Sequence, residues 1–253
     1  MMKKLMTHLY YGDPSEEFSI KLAQTLVASG ADILEIGVPY SDPVSDGEVF
    51  QRACKRALKN NVTPLIVFEG IRTLRNTGVK NYIYVTSYFG PIYKMGVEKF
   101  IKSVKDVGVQ GVIIPDLLFE EQTELLQIAK KYKIEIIQFV TPYSSEERIQ
   151  KIVKNAQGFI YYVSVPGVTG VRETVAKETI EFIRRLKKYT SLPIFVGFGI
   201  STPKQVNAVI QVGVGGVIVG SAIGKIYEQY LNDPERSLLE IATFTKLLKG
   251  GTI

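Results

Sequence analysis

The feature that most constrains this chain is a repeated pattern. A short run of β-branched and other apolar residues is followed by a loop and then by a helical stretch with apolar residues at every third or fourth position. Candidate strands are Leu5–Tyr10, Ile33–Gly37, Tyr82–Thr86, Gly111–Ile114, Ile134–Val140, Phe159–Val163, Ile194–Gly197 and Gly216–Val219. Between them lie amphipathic segments such as the one bearing Phe18, Leu22 and Leu26. Several helices run out at a glycine just before the next strand, at Gly30, Gly108 and Gly213. Glycine supplies the left-handed residue that ends a helix.

Strands that alternate with helices pair in parallel through right-handed crossovers. Strands buried on both faces read as continuous apolar runs, and these do. An open doubly wound sheet would carry a glycine-rich turn directly after its first strand, and Gly12-Asp13-Pro14 is not one. The expected fold is a closed (β/α)8 TIM barrel forming a single domain over residues 1–253. The chain begins almost at the first strand, so a leading helix under the barrel is expected to be short or absent.

The net charge of +6 invites a nucleic-acid partner, but Lys and Arg lie on helix faces rather than in a stripe, so neither nucleic acid nor membrane is expected. The apolar stretches are strand-length, far from the ~20 residues of a membrane helix. Cys54 is the single cysteine, which fits a reducing compartment, and a cytoplasmic protein is expected. His8 is the single histidine, so no metal site built on several His or Cys can form, and no metal is expected.

In such barrels the chemistry lies on loops after the strands, and phosphate often binds after the seventh and eighth. Three glycine-bearing loops stand at that end: Gly167-Val168-Thr169-Gly170, Gly197-Phe198-Gly199-Ile200-Ser201 and Gly220-Ser221. Each offers bare backbone N–H groups to an oxyanion, and Gly220-Ser221 opens a helix whose N-terminus favours one. The same glycines would also serve plain tight turns.

On the second strand, side chains alternate, so Glu35 points into the lumen if Leu34 and Ile36 face the helices. A desolvated acid there has a raised pKa and suits proton transfer in both directions. The next loop carries Asp42 and Asp46 over the mouth. An internal ion pair for Glu35, and turn-making for the two aspartates beside Pro43 and Gly47, are the structural alternatives.

Over nearly its whole length the sequence resembles the alpha subunit of tryptophan synthase. The stretches that carry the resemblance are Gly12-Asp13-Pro14, Leu34 through Pro43 (L-E-I-G-V-P-Y-S-D-P), Asp46-Gly47, Gln51-Arg52-Ala53, Pro115-Asp116-Leu117, Gly158 through Ser164, and the three glycine loops, the last continuing to Ile223. The resemblance implies retro-aldol cleavage of indole-3-glycerol phosphate to indole and glyceraldehyde 3-phosphate without a cofactor. It implies that Glu35 is the general acid–base residue and that Asp46 accepts a hydrogen bond from the indole N–H. Tyr161 would lie near the reacting centre, Thr169 on a mobile lid, and Gly170, Gly199, Gly220 and Ser221 at the phosphate. It also implies an alpha2beta2 assembly with a beta subunit that holds pyridoxal phosphate and receives the indole, with Pro39–Pro43 and the lid at the contact.

The sequence departs from that family at several places. Val165-Pro166 replaces the lid's usual arginine pattern, Gly90 stands for an asparagine, and Glu48 for a common proline. His8 occupies a position where an apolar pocket residue is usual, and packing or a loop contact is expected of it rather than catalysis. Another phosphate-binding barrel, a sugar-phosphate epimerase or an indole-glycerol-phosphate synthase, is the nearest rival; the synthase would need an inward lysine at a catalytic strand end, and no strand offers one. A non-catalytic regulatory subunit is the reading from another class, and the presence of both carboxylates opposes it.

Overall fold

The computed structural model describes residues 3–163, 177–197 and 199–252. Eight parallel strands close in sequence order: β1 (Lys4–Tyr10), β2 (Ile33–Gly37), β3 (Tyr82–Thr86), β4 (Gly111–Ile113), β5 (Glu135–Val140), β6 (Ile160–Val163), β7 (Ile194–Gly197) and β8 (Gly216–Val219), with β8 pairing back onto β1. The expected barrel is the observed one. Strand limits differ from expectation by one residue at four ends, where local chain direction decides. Ile114 leaves β4 just before Pro115, whose nitrogen carries no hydrogen for a ladder, and the Ile134 amide is spent on the Ala129 carbonyl at the preceding helix end.

Around the barrel run α1 (Glu16–Ala28), α2 (Glu48–Lys59), α3 (Pro64–Asn76), α4 (Phe89–Met95), α5 (Val97–Asp106), α6 (Thr123–Tyr132), α7 (Glu146–Asn155), α8 (Lys177–Leu186), α9 (Pro203–Gln211), α10 (Ser221–Glu228) and α11 (Pro234–Gly250). Their starts follow from local chemistry. Ser15, Thr63, Ser145, Thr202 and Asp233 each accept a bond from a first-turn amide, and Pro64, Pro203 and Pro234 occupy first positions where no N–H is needed. Gly30, Gly108 and Gly213 take φ of +106°, +72° and +86°, the left-handed conformation expected of them. No helix among the described residues is long and apolar enough to cross a membrane.

Two cores follow from the alternation of the strands. The outer one fills the space between sheet and helices and includes Leu34, Ile36, Val85 and Val196. The inner one plugs the lumen with Met6, Ile33, Tyr84, Ile113, Ile137, Phe159, Tyr161, Phe195 and Ile218. Phe159 stacks on Phe195 at 4.6 Å, and Tyr84 turns downward to donate to Glu135 at 2.7 Å. Among the described residues the lower lumen is thus filled by side chains, and the cavity lies at its upper end.

One ionic cluster, centred on a buried aspartate, ties three elements of that upper end together. Asp13, fully buried after β1, accepts two bonds from Arg56 of α2, at 2.5 and 2.8 Å, and one from Tyr227 of α10 at 2.7 Å. Arg56 and Arg52 also reach Glu228. Removing one member of such a cluster leaves its partner's charge unpaired. Asp13→Ala is expected to destabilise the fold by about 3 kcal/mol, read as a drop in urea midpoint at unchanged slope. A shift within error of zero would mean the cluster is not holding these elements.

Candidate active site

All five residues of β2 are buried, but they are buried against different surroundings. Leu34 and Ile36 join the outer core, which turns Glu35 into the lumen one layer above the inner plug. Its neighbour across the ladder on β1 is His8. Glu35 Oε1 accepts a short bond from Thr86 Oγ1 of β3 and lies 3.4 Å from His8 Nδ1, while Oε2 has no partner. Burial pushes the Glu35 pKa up to about 7, and the Thr86 hydroxyl opposes part of that rise by stabilising the anion. Burial also pushes His8 down to about 4 despite the charge of Asp46 nearby. The two groups are thus a polar contact rather than an ion pair.

Asp46 stands on the loop between β2 and α2. The phenols of Tyr10 and Tyr88 both donate to its Oδ2, at 2.6 and 2.8 Å. Its main chain is fixed as well, the amide donating to Pro43 O at 3.0 Å and the carbonyl accepting from Gln51 Nε2 at 2.8 Å. Tyr88 in turn accepts from the Ser45 amide at 3.0 Å. Burial and the Asp46 charge hold both phenols protonated, so they remain donors. Asp42, by contrast, is exposed.

Glu35, Asp46, Tyr161, Gly199, Gly220 and Ser221 all line one cavity of about 360 Å³ at the open end of the barrel. That is the lower end of the size range for small-molecule sites. Phe50, Ile113, Phe139 and Ile218 give it an apolar wall that suits a flat ring. The Tyr161 ring packs on Phe139 at 4.9 Å, and its hydroxyl is kept protonated by burial and by the charges of Glu35 and Asp46. No lysine or arginine stands among the described lining residues. No cluster of three or more His, Cys, Asp or Glu able to hold a metal occurs among the described residues.

Gly220 caps α10, and Ser221 is its first residue. The Ile223 and Gly224 amides donate to the Gly220 carbonyl, at 2.9 and 3.1 Å, which leaves the Ser221 and Ala222 amides as the first-turn donors a helix start can offer to an anion. Gly199, with φ +72°, lines the same cavity from the loop after β7. Gly220 has a second reason to be glycine: a Cβ there would meet the Phe50 ring at 2.7 Å and His8 Cβ at 3.0 Å. Thr169 and Gly170, with Val165, Pro166 and Phe198, lie outside the described residues.

Sequence reasoning missed Thr86, Tyr10, Tyr88 and Phe50 as parts of the site. For Thr86 a signal existed, since it ends a strand at the catalytic face. Tyr10 also ends its strand there, but nothing local pairs it with an aspartate 36 positions away. His8 was expected to serve packing or a loop contact, and it does pack; it also lines the cavity beside Glu35.

Fold and site together define a (β/α)8-barrel enzyme whose mouth holds a buried carboxyl, Glu35, in one cavity with the glycine-built helix start at Gly220-Ser221. A sequence model of the family described as Tryptophan synthase alpha chain matches residues 2–252. The chain is 42% identical over 238 residues to the tryptophan synthase alpha chain of Methanoregula boonei, covering 94% of this chain and 89% of the relative. It is 44% identical over 222 residues to that of Methanocaldococcus jannaschii, covering 88% and 78%. The crystal structure of tryptophan synthase subunit alpha from Legionella pneumophila superposes with a TM-score of 0.90 at 32% identity, covering 99% of this chain and 92% of that one. The chain belongs to the tryptophan synthase alpha chain family, and its role is that of the alpha subunit.

The raised pKa of Glu35 is also a statement about stability. The folded state holds the proton up to about pH 7, whereas an ordinary glutamate releases it near 4.5, so folding loses free energy as pH rises between those values. Glu35→Gln, which has no charge to bury, should therefore be more stable than the parent by roughly 3 kcal/mol at pH 8 and about equal to it below pH 4. Urea unfolding at the two pH values measures this. Equal stabilities at pH 8 would mean that Glu35 is not desolvated.

Proposed function

We propose that this chain cleaves indole-3-glycerol phosphate to indole and glyceraldehyde 3-phosphate, with Glu35 moving the protons and Asp46 balancing the charge on the ring. The single observation that carries the reading is that both carboxyls share one cavity with the glycine-built helix N-terminus at Gly220-Ser221.

The order of events follows from what each group can do. The phosphate is held by the Ser221 hydroxyl and the main-chain amides of the last two loops, with Thr169 and Gly170 as expected additional contacts. The indole ring lies against Phe50 and Ile218, with its N–H toward Asp46. Protonated Glu35 gives its proton to indole C3, which places positive charge on the ring nitrogen. Asp46, anchored through Oδ2 by two phenols, stabilises that charge without having to reorient. The Glu35 carboxylate then takes the proton of the hydroxyl on the carbon attached to C3, as the bond between those carbons breaks and its electrons return to the ring. Glu35 ends protonated, ready for another turn. A pKa near the working pH lets one residue give and take the proton with similar ease.

This reading makes the enzyme a carbon–carbon lyase that acts in the cytoplasm without a cofactor of its own. Its partner is a beta subunit that carries pyridoxal phosphate and takes up the indole, in an alpha2beta2 assembly. Apolar side chains on the segments that follow β2, β3 and β4 support such a partner: Val44, Tyr93 of α4 and Leu118 are 70%, 73% and 58% exposed.

Steady-state release of indole by the isolated chain and by its mixture with a beta subunit tests the reaction. Glu35→Gln is expected to lower kcat by at least ~100-fold while the substrate still binds, and Asp46→Asn by a comparable factor. The parent's kcat/KM should fall as pH rises above about 7, because the free enzyme must hold the Glu35 proton to begin. Near-normal turnover by Glu35→Gln would refute the proton role. A parent chain that binds substrate but never releases indole would make it a regulatory subunit.

A further inference from the structure

His8 is a buried polar residue that the reaction as derived does not use. Its ring lies between Tyr10 and Phe50, with centroids at 5.1 and 4.6 Å, so its plane is fixed. Room for it depends on two glycines, since a Cβ at Gly37 would come within 3.0 Å of Nε2 and one at Gly220 within 3.0 Å of Cβ. Nδ1 faces Glu35 Oε1 at 3.4 Å, and Nε2 has no partner.

The structure assigns His8 a positioning role: it is held as the Nδ1–H tautomer, donating to Glu35 Oε1, so that Oε2 is the oxygen that carries and exchanges the proton. This rests on the reading of Glu35 as the proton carrier. Three observations support it. Oε1 already accepts from Thr86, and a second donor leaves it the carbonyl-like oxygen of the carboxyl. Oε2 is the one unpartnered oxygen, as a group awaiting substrate must be. The alternative tautomer would bury an N–H at Nε2 with no acceptor, a costlier orphan than a bare ring nitrogen. A contact of 3.4 Å is long for a hydrogen bond, and such contacts tighten when substrate fills the site.

The groups facing Glu35 come from every side of the cavity. They are His8 and Tyr10 from β1, Asp46 from the loop after β2, Thr86 from β3 and Tyr161 from β6. Burial disfavours charge on both His8 and Glu35, which keeps the histidine neutral where Glu35 titrates. A neutral donor lowers the Glu35 pKa without trapping the proton, as a cationic histidine would.

Because the chain has one histidine, its ring nitrogens can be read in the intact protein by 15N NMR without assignment. The expected spectrum is that of a neutral ring protonated at Nδ1 from pH 8 down to about pH 5, with an inflection near pH 7 that vanishes in Glu35→Gln. A ring protonated at Nε2, or an even tautomer mixture, would overturn the assignment. Kinetics supply the second test. His8→Phe removes the donor and should move the falling limb of the kcat/KM profile up by ~0.5 pH unit, while His8→Asn, whose amide sits near the Nδ1 position, should restore most of it. A His8→Phe variant that changes KM or kcat with the limb unmoved would reduce His8 to packing. The NMR result does not depend on indole release, so failure of this inference and failure of the cleavage reading are separable.

Discussion

Everything at the open end of this barrel depends on one carboxyl being kept out of water. Glu35 is a single acidic residue in a strand whose other members are apolar or glycine, and closure of the sheet leaves its side chain nowhere to go but the lumen. The inner plug beneath it, built on Phe159, Phe195 and Tyr161, prevents hydration from below. Desolvation raises its pKa to the range where it can both donate and accept, and the fold gives up stability at neutral pH for that property.

The rest of the site is held in place around Glu35 by packing and hydrogen bonds from several elements. Three elements contribute: β1 brings His8 and Tyr10, the loop into α2 brings Asp46, and the turn into α10 brings Gly220 and Ser221. The Asp13, Arg56, Tyr227 and Glu228 cluster ties the chain after β1 to α2 and to α10 beneath these groups. Above it, the Tyr10 and Tyr88 phenols converge on one oxygen of Asp46. A carboxylate anchored through one oxygen on a pinned loop is preorganised to stabilise positive charge that develops in the cavity. Gly220 serves both ends of the arrangement. It stands at the start of α10, and its missing side chain lets Phe50 and His8 pack against it.

Much of this was legible in the order of residues, because the information was local. Alternation along β2 told which way Glu35 points, and the glycines at 30, 108 and 213 marked helix ends that adopt the expected positive φ. The glycine turns at Gly199 and Gly220-Ser221 fell on one cavity with Glu35 because barrel topology places all strand ends at one mouth. What was not legible is non-local. Tyr10 and Tyr88 meet Asp46 across 36 and 42 positions, and Thr86 meets Glu35 across 51. These contacts depend on register and loop path rather than on pattern. Asp13 stood out as part of Gly12-Asp13-Pro14, but its arginine partner lies 43 residues on. The reading of Thr169 and Gly170 as substrate contacts falls outside the described residues.

The most direct test of the account is a crystal structure with an uncleavable ligand, indole carrying a propyl phosphate in place of the glycerol phosphate. The account predicts the phosphate within hydrogen-bond distance of the Ser221 amide and hydroxyl, the indole N–H on Asp46, and indole C3 facing Glu35 Oε2. A ligand bound with its phosphate away from Gly220-Ser221, or with C3 out of reach of Glu35, would contradict it.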